Sequence, residues 1–67
     1  MSLTSGQCRM ARAAVGLTQS ELARKANIST TTLTAFESGQ RAPYDRTLRD
    51  VRTVFEELGI TFLEPDE

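Results

Sequence analysis

Sixty-seven residues, 39% of them hydrophobic, supply one small core and leave no room for a second. One cysteine and no histidine exclude an intrachain disulfide, a structural zinc site within one chain, and the catalytic dyads and triads built on histidine. The net charge of -1 conceals an asymmetry: all eight basic residues lie at or before Arg52, whereas Glu56, Glu57, Glu64, Asp66 and Glu67 crowd the end. The mildly basic body suits a polyanion, but a pI near 5.3 is far from that of a strongly basic nucleic-acid binder.

Thr4-Ser5-Gly6-Gln7 has the form of a capping box, a hydroxyl residue followed three positions later by Gln. It predicts a first helix from Ser5 to Val15, rich in Ala and Arg and stopped by Gly16. Thr18-Gln19-Ser20-Glu21 repeats the box and opens a second helix, from Gln19 to about Ala26, with Asn27 as its stop. Ser29-Thr30-Thr31-Thr32-Leu33-Thr34 favours strand or loop by propensity alone. Three features nevertheless predict a helix from Thr30 to Ser38: Ser29 is a good N-cap, Leu33 and Phe36 stand three apart, and Gly39 follows as a stop.

A loop with Pro43 leads to a fourth helix, from Asp45 to Leu58, whose stripe is Leu48, Val51, Phe55 and Leu58. Beyond Gly59, Ile60-Thr61-Phe62-Leu63 reads as a short strand or extended arm. Cys8, at helical spacing with Ala11 and Val15, is expected to be a small buried hydrophobe. Arg46, Arg49 and Arg52 form a stripe expected to be the wet face of the fourth helix.

The second and third helices are joined by Asn27, Ile28 and Ser29, the short connection of a helix-turn-helix. Ala23 is small enough for the backbones to approach. Leu22, Ala26, Ile28, Leu33 and Phe36 would close a core beneath the pair.

The run Arg12-Ala13-Ala14-Val15-Gly16-Leu17-Thr18-Gln19-Ser20-Glu21-Leu22-Ala23, then Asn27-Ile28-Ser29, Thr32-Leu33 and Phe36-Glu37-Ser38-Gly39-Gln40-Arg41-Ala42-Pro43, resembles the Cro/C1-type (xenobiotic response element) helix-turn-helix family of phage repressors and bacterial regulators. The resemblance covers roughly residues 4 to 58. It implies an all-α, four-helix, lambda-repressor-like DNA-binding domain with the helix-turn-helix at 18–38; with the short extended C-terminal arm read at 60–67, the single domain spans 1–67. Two positions depart from the family: Asn27 replaces the usual turn Gly, and the third helix carries Thr and Ala where Arg, Gln, Asn or Lys are common.

Position by position, the resemblance places Ser29, Thr30, Thr31, Thr34 and Ala35 near base edges, and Arg12, Thr18, Gln19 and Arg41 at phosphates. Arg12 and Glu37 match a pair that braces the first helix to the third. The bland alternatives stay open: a self-capping threonine run, a solvated Arg41, and an Arg12–Glu37 brace without DNA contact. The implied function is sequence-specific double-stranded DNA binding as a transcriptional regulator, a repressor occupying an operator, with no enzyme activity and no cofactor. The alternative is a protein-interaction module, or the antitoxin of a toxin–antitoxin pair, bound to a toxin or another regulator. A homodimer is expected through Phe55, Leu58, Ile60, Phe62 and Leu63, its arm paired with that of a second chain; the alternative is a monomer whose arm folds back onto its own first helix. With no apolar run near the ~20 residues that span a bilayer and no legible signal peptide, a cytoplasmic location without membrane contact is expected.

Overall fold

A computed structural model describes residues 3–62. Four helices follow one another: α1 (Ser5–Val15), α2 (Gln19–Ala26), α3 (Thr30–Glu37) and α4 (Asp45–Glu57). The described residues form no strand, so of the two readings of residues 60–62, strand or extended arm, the structure has the arm.

Each of the first three helices starts on a side chain that satisfies backbone donors. At α1 the Thr4 hydroxyl accepts from the Gln7 N–H at 3.0 Å, and the Gln7 carboxamide accepts from the Thr4 N–H at 2.9 Å. Thr18 and Glu21 do the same for α2, at 3.1 and 2.8 Å. At α3 the Ser29 hydroxyl accepts from the Thr32 N–H at 3.0 Å. An apolar residue precedes each cap and another sits four positions after it: Leu3 and Cys8, Leu17 and Leu22, Ile28 and Leu33. This is the spacing of a hydrophobic staple. It fixes where the chain enters each helix, and it explains the burial of Leu3 so close to the amino end.

Asn27 shapes the turn of the helix-turn-helix. It holds φ 59° and ψ 44°, and its N–H reaches the Arg24 carbonyl while the Ile28 N–H reaches the Ala23 carbonyl at 2.9 Å. These two bonds close the end of α2 and send Ile28 back into the core. A left-handed backbone costs most residues about 1–2 kcal/mol, less for Asn, whose short polar side chain bonds locally. Asn27→Ala is therefore expected to lower the melting temperature by roughly 4–8 °C, the equivalent of about 1 kcal/mol in a domain this size. Asn27→Gly should melt at or above the parent. Equal melting of the alanine and parent proteins would contradict this role for Asn27.

The core joins Leu3, Cys8 and Ala11 to Leu22, Ala23 and Ala26, to Leu33 and Phe36, and to Leu48, Val51, Val54 and Phe55. α2 packs against both α3 and α4, and α1 packs against α3. Ala23 is buried in α2, as a close helix crossing requires. The stripe of α4 differs from expectation at its end: Val54 is buried and Leu58 is 44% exposed. Leu58 lies one residue beyond α4 at φ -90° and ψ 5°, so its side chain leaves the helical stripe. Gly59, at φ 98°, then reverses the chain. The Ile60 N–H bonds the Phe55 carbonyl at 3.0 Å, and both Ile60 and Phe62 pack against the core of their own chain.

Candidate nucleic-acid interface

Glu37 ends α3 and is 3% exposed, the one buried charged residue among those described. Such a charge is tolerated only when donors replace its water. Arg12 of α1 supplies a fork: Nε donates to Oε2 and Nη2 to Oε1, both at 2.9 Å. Gln19 of α2 adds its Nε2 to Oε1 at 3.0 Å, and the Cys8 thiol donates to Oε2 at 3.2 Å. Four donors from two helices thus converge on the last turn of a third. Arg9 donates to the Glu37 main-chain carbonyl, placing a cation at the C-terminal end of α3. Arg12 also reaches the Leu17 carbonyl at 3.2 Å and so holds the link between α1 and α2.

The electrostatics follow from this geometry. Burial pushes the Glu37 carboxyl up, but the hydrogen bonds from Arg12, Gln19 and Cys8 outweigh it and hold the group below its usual range. The hydrogen bond to Glu37 raises Arg12 despite some burial. Burial, reinforced by the adjacent carboxylate, pushes the Cys8 thiol up to about 12, so it stays protonated and serves as a donor. Cys8 is buried as expected, yet its role is polar as well as apolar.

The outer face of α3 carries Thr30, Thr31 and Thr34, all exposed, with Ala35 half-buried beside them. No side-chain hydrogen bond holds Thr30 or Thr31 among the described residues. The Ser29 hydroxyl is engaged locally, accepting from the Thr32 N–H and donating to the Thr32 hydroxyl at 2.8 Å. The Thr34 hydroxyl donates to the Gln19 Oε1 at 3.1 Å.

Gln19 and Thr18, both expected at phosphates, also serve the fold. Both ends of the Gln19 carboxamide are committed, one to Glu37 and one to Thr34. The Thr18 hydroxyl accepts from the Glu21 N–H and keeps its own proton to donate, while the Thr18 N–H donates to the Glu21 carboxyl and is the chief cause of its lowering. The start of α2 also offers an anion the backbone N–H groups of Gln19 and Ser20, which a helix cannot bond internally. Arg41 is exposed and shares a surface depression with Ser29 and Thr32 at the start of α3 and with Tyr44 and Thr47 at the start of α4. Tyr44, 86% exposed, drew no attention in the sequence, where one aromatic before a helix reads as a core residue as easily as a surface one.

The residues expected at a dimer interface separate. Phe55 has no exposed surface and belongs to the core, so it is removed from that set. Phe62 meets Phe55 edge-on, with ring centroids 6.0 Å apart, and lies under the Arg52 guanidinium, 5.4 Å from the ring centre. Ile60 is half-buried and Leu58 exposed, while Leu63 lies outside the described residues. Ile60 and Phe62 line an open, largely apolar groove with Gln7, Met10 and Ala14 of α1.

The sequence model of a family described as helix-turn-helix matches residues 9–57, from Arg9 in α1 to the last residue of α4. The chain belongs to this family, of the Cro/C1 type. No curated protein sequence matches the chain. No helix among the described residues is long and apolar enough to cross a membrane.

Proposed function

We propose that the chain is a sequence-specific double-stranded DNA-binding regulator that represses transcription by occupying an operator. The observation that carries this reading is the anchoring of α3. Its inner end is clamped through Glu37 to α1 and α2, while its outer face presents threonines to solvent. A helix so held enters a major groove as a rigid unit, and backbone N–H groups of α2 with Arg41 flank it for phosphates. Selection of bound sequences from random duplex DNA tests the reading and should return a defined half-site. Arg41→Ala should weaken binding to every selected duplex by about the same factor, because phosphate contacts position and do not specify. Selection that returns no duplex would favour the second reading, a protein-interaction module. The open apolar groove, with Met10 68% exposed at its edge, supports that alternative.

Repression as a homodimer is part of the same proposal, since two recognition helices about one duplex turn (~34 Å) apart read a palindromic site. Ile60 and Phe62 are packed against the core of their own chain, so pairing with the arm of a second copy is not needed to cover them. Two copies would meet through the exposed Leu58 and the outer edge of the arm. Light scattering at tens of micromolar is expected to give twice the chain mass, and the selected site should be two-fold symmetric. A monomer mass with a single half-site would contradict the dimer.

A further inference from the structure

We infer that α3 reads the C5-methyl groups of thymines, so that the operator half-site is defined by T·A pairs rather than by guanine or adenine edges. This rests on the duplex-binding reading above. Guanine is read by Arg or Lys, adenine by Asn or Gln, and cytosine by Asp or Glu. α3 carries none of the first four residue types. Its one acid, Glu37, is buried and saturated by Arg12, Gln19 and Cys8. Gln19, the carboxamide that packs beside α3, donates one amide hydrogen to Glu37 and its oxygen accepts from Thr34, which fixes its orientation within the fold.

What the outer face offers is the hydroxyls and methyls of Thr30, Thr31 and Thr34 and the methyl of Ala35. Hydroxyls bond several bases and discriminate poorly. Of the Thr34 hydroxyl, the proton is already donated to Gln19. Methyl groups, by contrast, gain only where a base edge is itself apolar, and in the major groove that is the thymine methyl.

The test replaces thymine by uracil, which removes the methyl and leaves the pairing and the O4 acceptor in place. In the duplex recovered by selection, each contacted thymine changed to uracil should weaken binding by about fourfold, the value of one buried methyl-sized group. Uracil outside the half-site should change nothing, and 7-deazaguanine in place of guanine should leave affinity intact. Thr31→Ser, which deletes the methyl and keeps the hydroxyl, should lose the thymine–uracil difference at one position. Thr31→Val, which keeps methyls and deletes the hydroxyl, should retain it. Equal binding of the thymine and uracil duplexes overturns the inference, as does a loss confined to the 7-deazaguanine duplex, which would point to Arg41 reading guanine. No binding to any duplex overturns the DNA reading itself, and the two failures are thereby told apart.

Discussion

Glu37→Ala is expected to leave much of the protein unfolded at physiological temperature. The substitution deletes one side chain but strands several others. The Arg12 fork, the Gln19 amide and the Cys8 thiol lose their common acceptor. Breaking a buried pair by removing one partner costs about 3–5 kcal/mol. Arg12 is 24% exposed, so water recovers part of its solvation and the lower end of that range applies. A domain of this size holds only about 3–5 kcal/mol in total, so even the lower figure is decisive. Urea titration followed by circular dichroism should show the midpoint collapse. Glu37→Gln keeps the shape but turns an NH2 group toward donors, and it should fall between parent and alanine.

The same carboxylate sets an acid limit. Its folded pKa is depressed, so its contribution is complete above the unfolded carboxylate value of about 4.3 and is lost as pH falls through the folded one. The melting temperature of the parent should drop below about pH 4, more steeply than that of Glu37→Gln. The drop left in the variant would come from other carboxylates such as Glu21, which is also lowered. A parent and a glutamine variant with parallel acid profiles would contradict the role given to Glu37.

Phe55→Ala is the second large effect expected. Phe55 is fully buried, packs against the rest of the core and receives the edge of Phe62. Truncation of a core phenylalanine costs about 3–5 kcal/mol, again the size of the whole stability. It also strips the support from Phe62, whose ring packs on that of Phe55, while the bond from the Ile60 N–H to the Phe55 main-chain carbonyl survives. Phe55→Leu fills most of the volume and should cost far less. A melting temperature of Phe55→Ala within a few degrees of the parent would place the core elsewhere.

The fold was legible where its causes are local. Thr4 with Gln7, Thr18 with Glu21, and Ser29 announce three helix starts within four residues of sequence, and the structure closes each bond. α3 is helical against the propensity of its threonines because Leu33 and Phe36 are buried and Glu37 is tethered, a tertiary gain that outweighs a few tenths of a kcal/mol per residue. The roles of Gln19, Cys8 and Arg9 were not legible. Their bonds join residues 15 to 29 positions apart, and a glutamine at a helix start looks the same whether it faces phosphate or a buried carboxylate. The Arg12–Glu37 pair came from family resemblance, since nothing in local spacing links residues 25 apart.

Binding of the intact chain to duplex DNA, measured across a range of salt concentrations, tests the account most directly. Phosphate contacts release counterions, so log K should fall linearly with log salt, by about 0.9 for each phosphate neutralised. Arg41→Ala should make the slope shallower by about that amount. A duplex affinity that does not change with salt, or an Arg41→Ala slope identical to the parent's, would contradict the account.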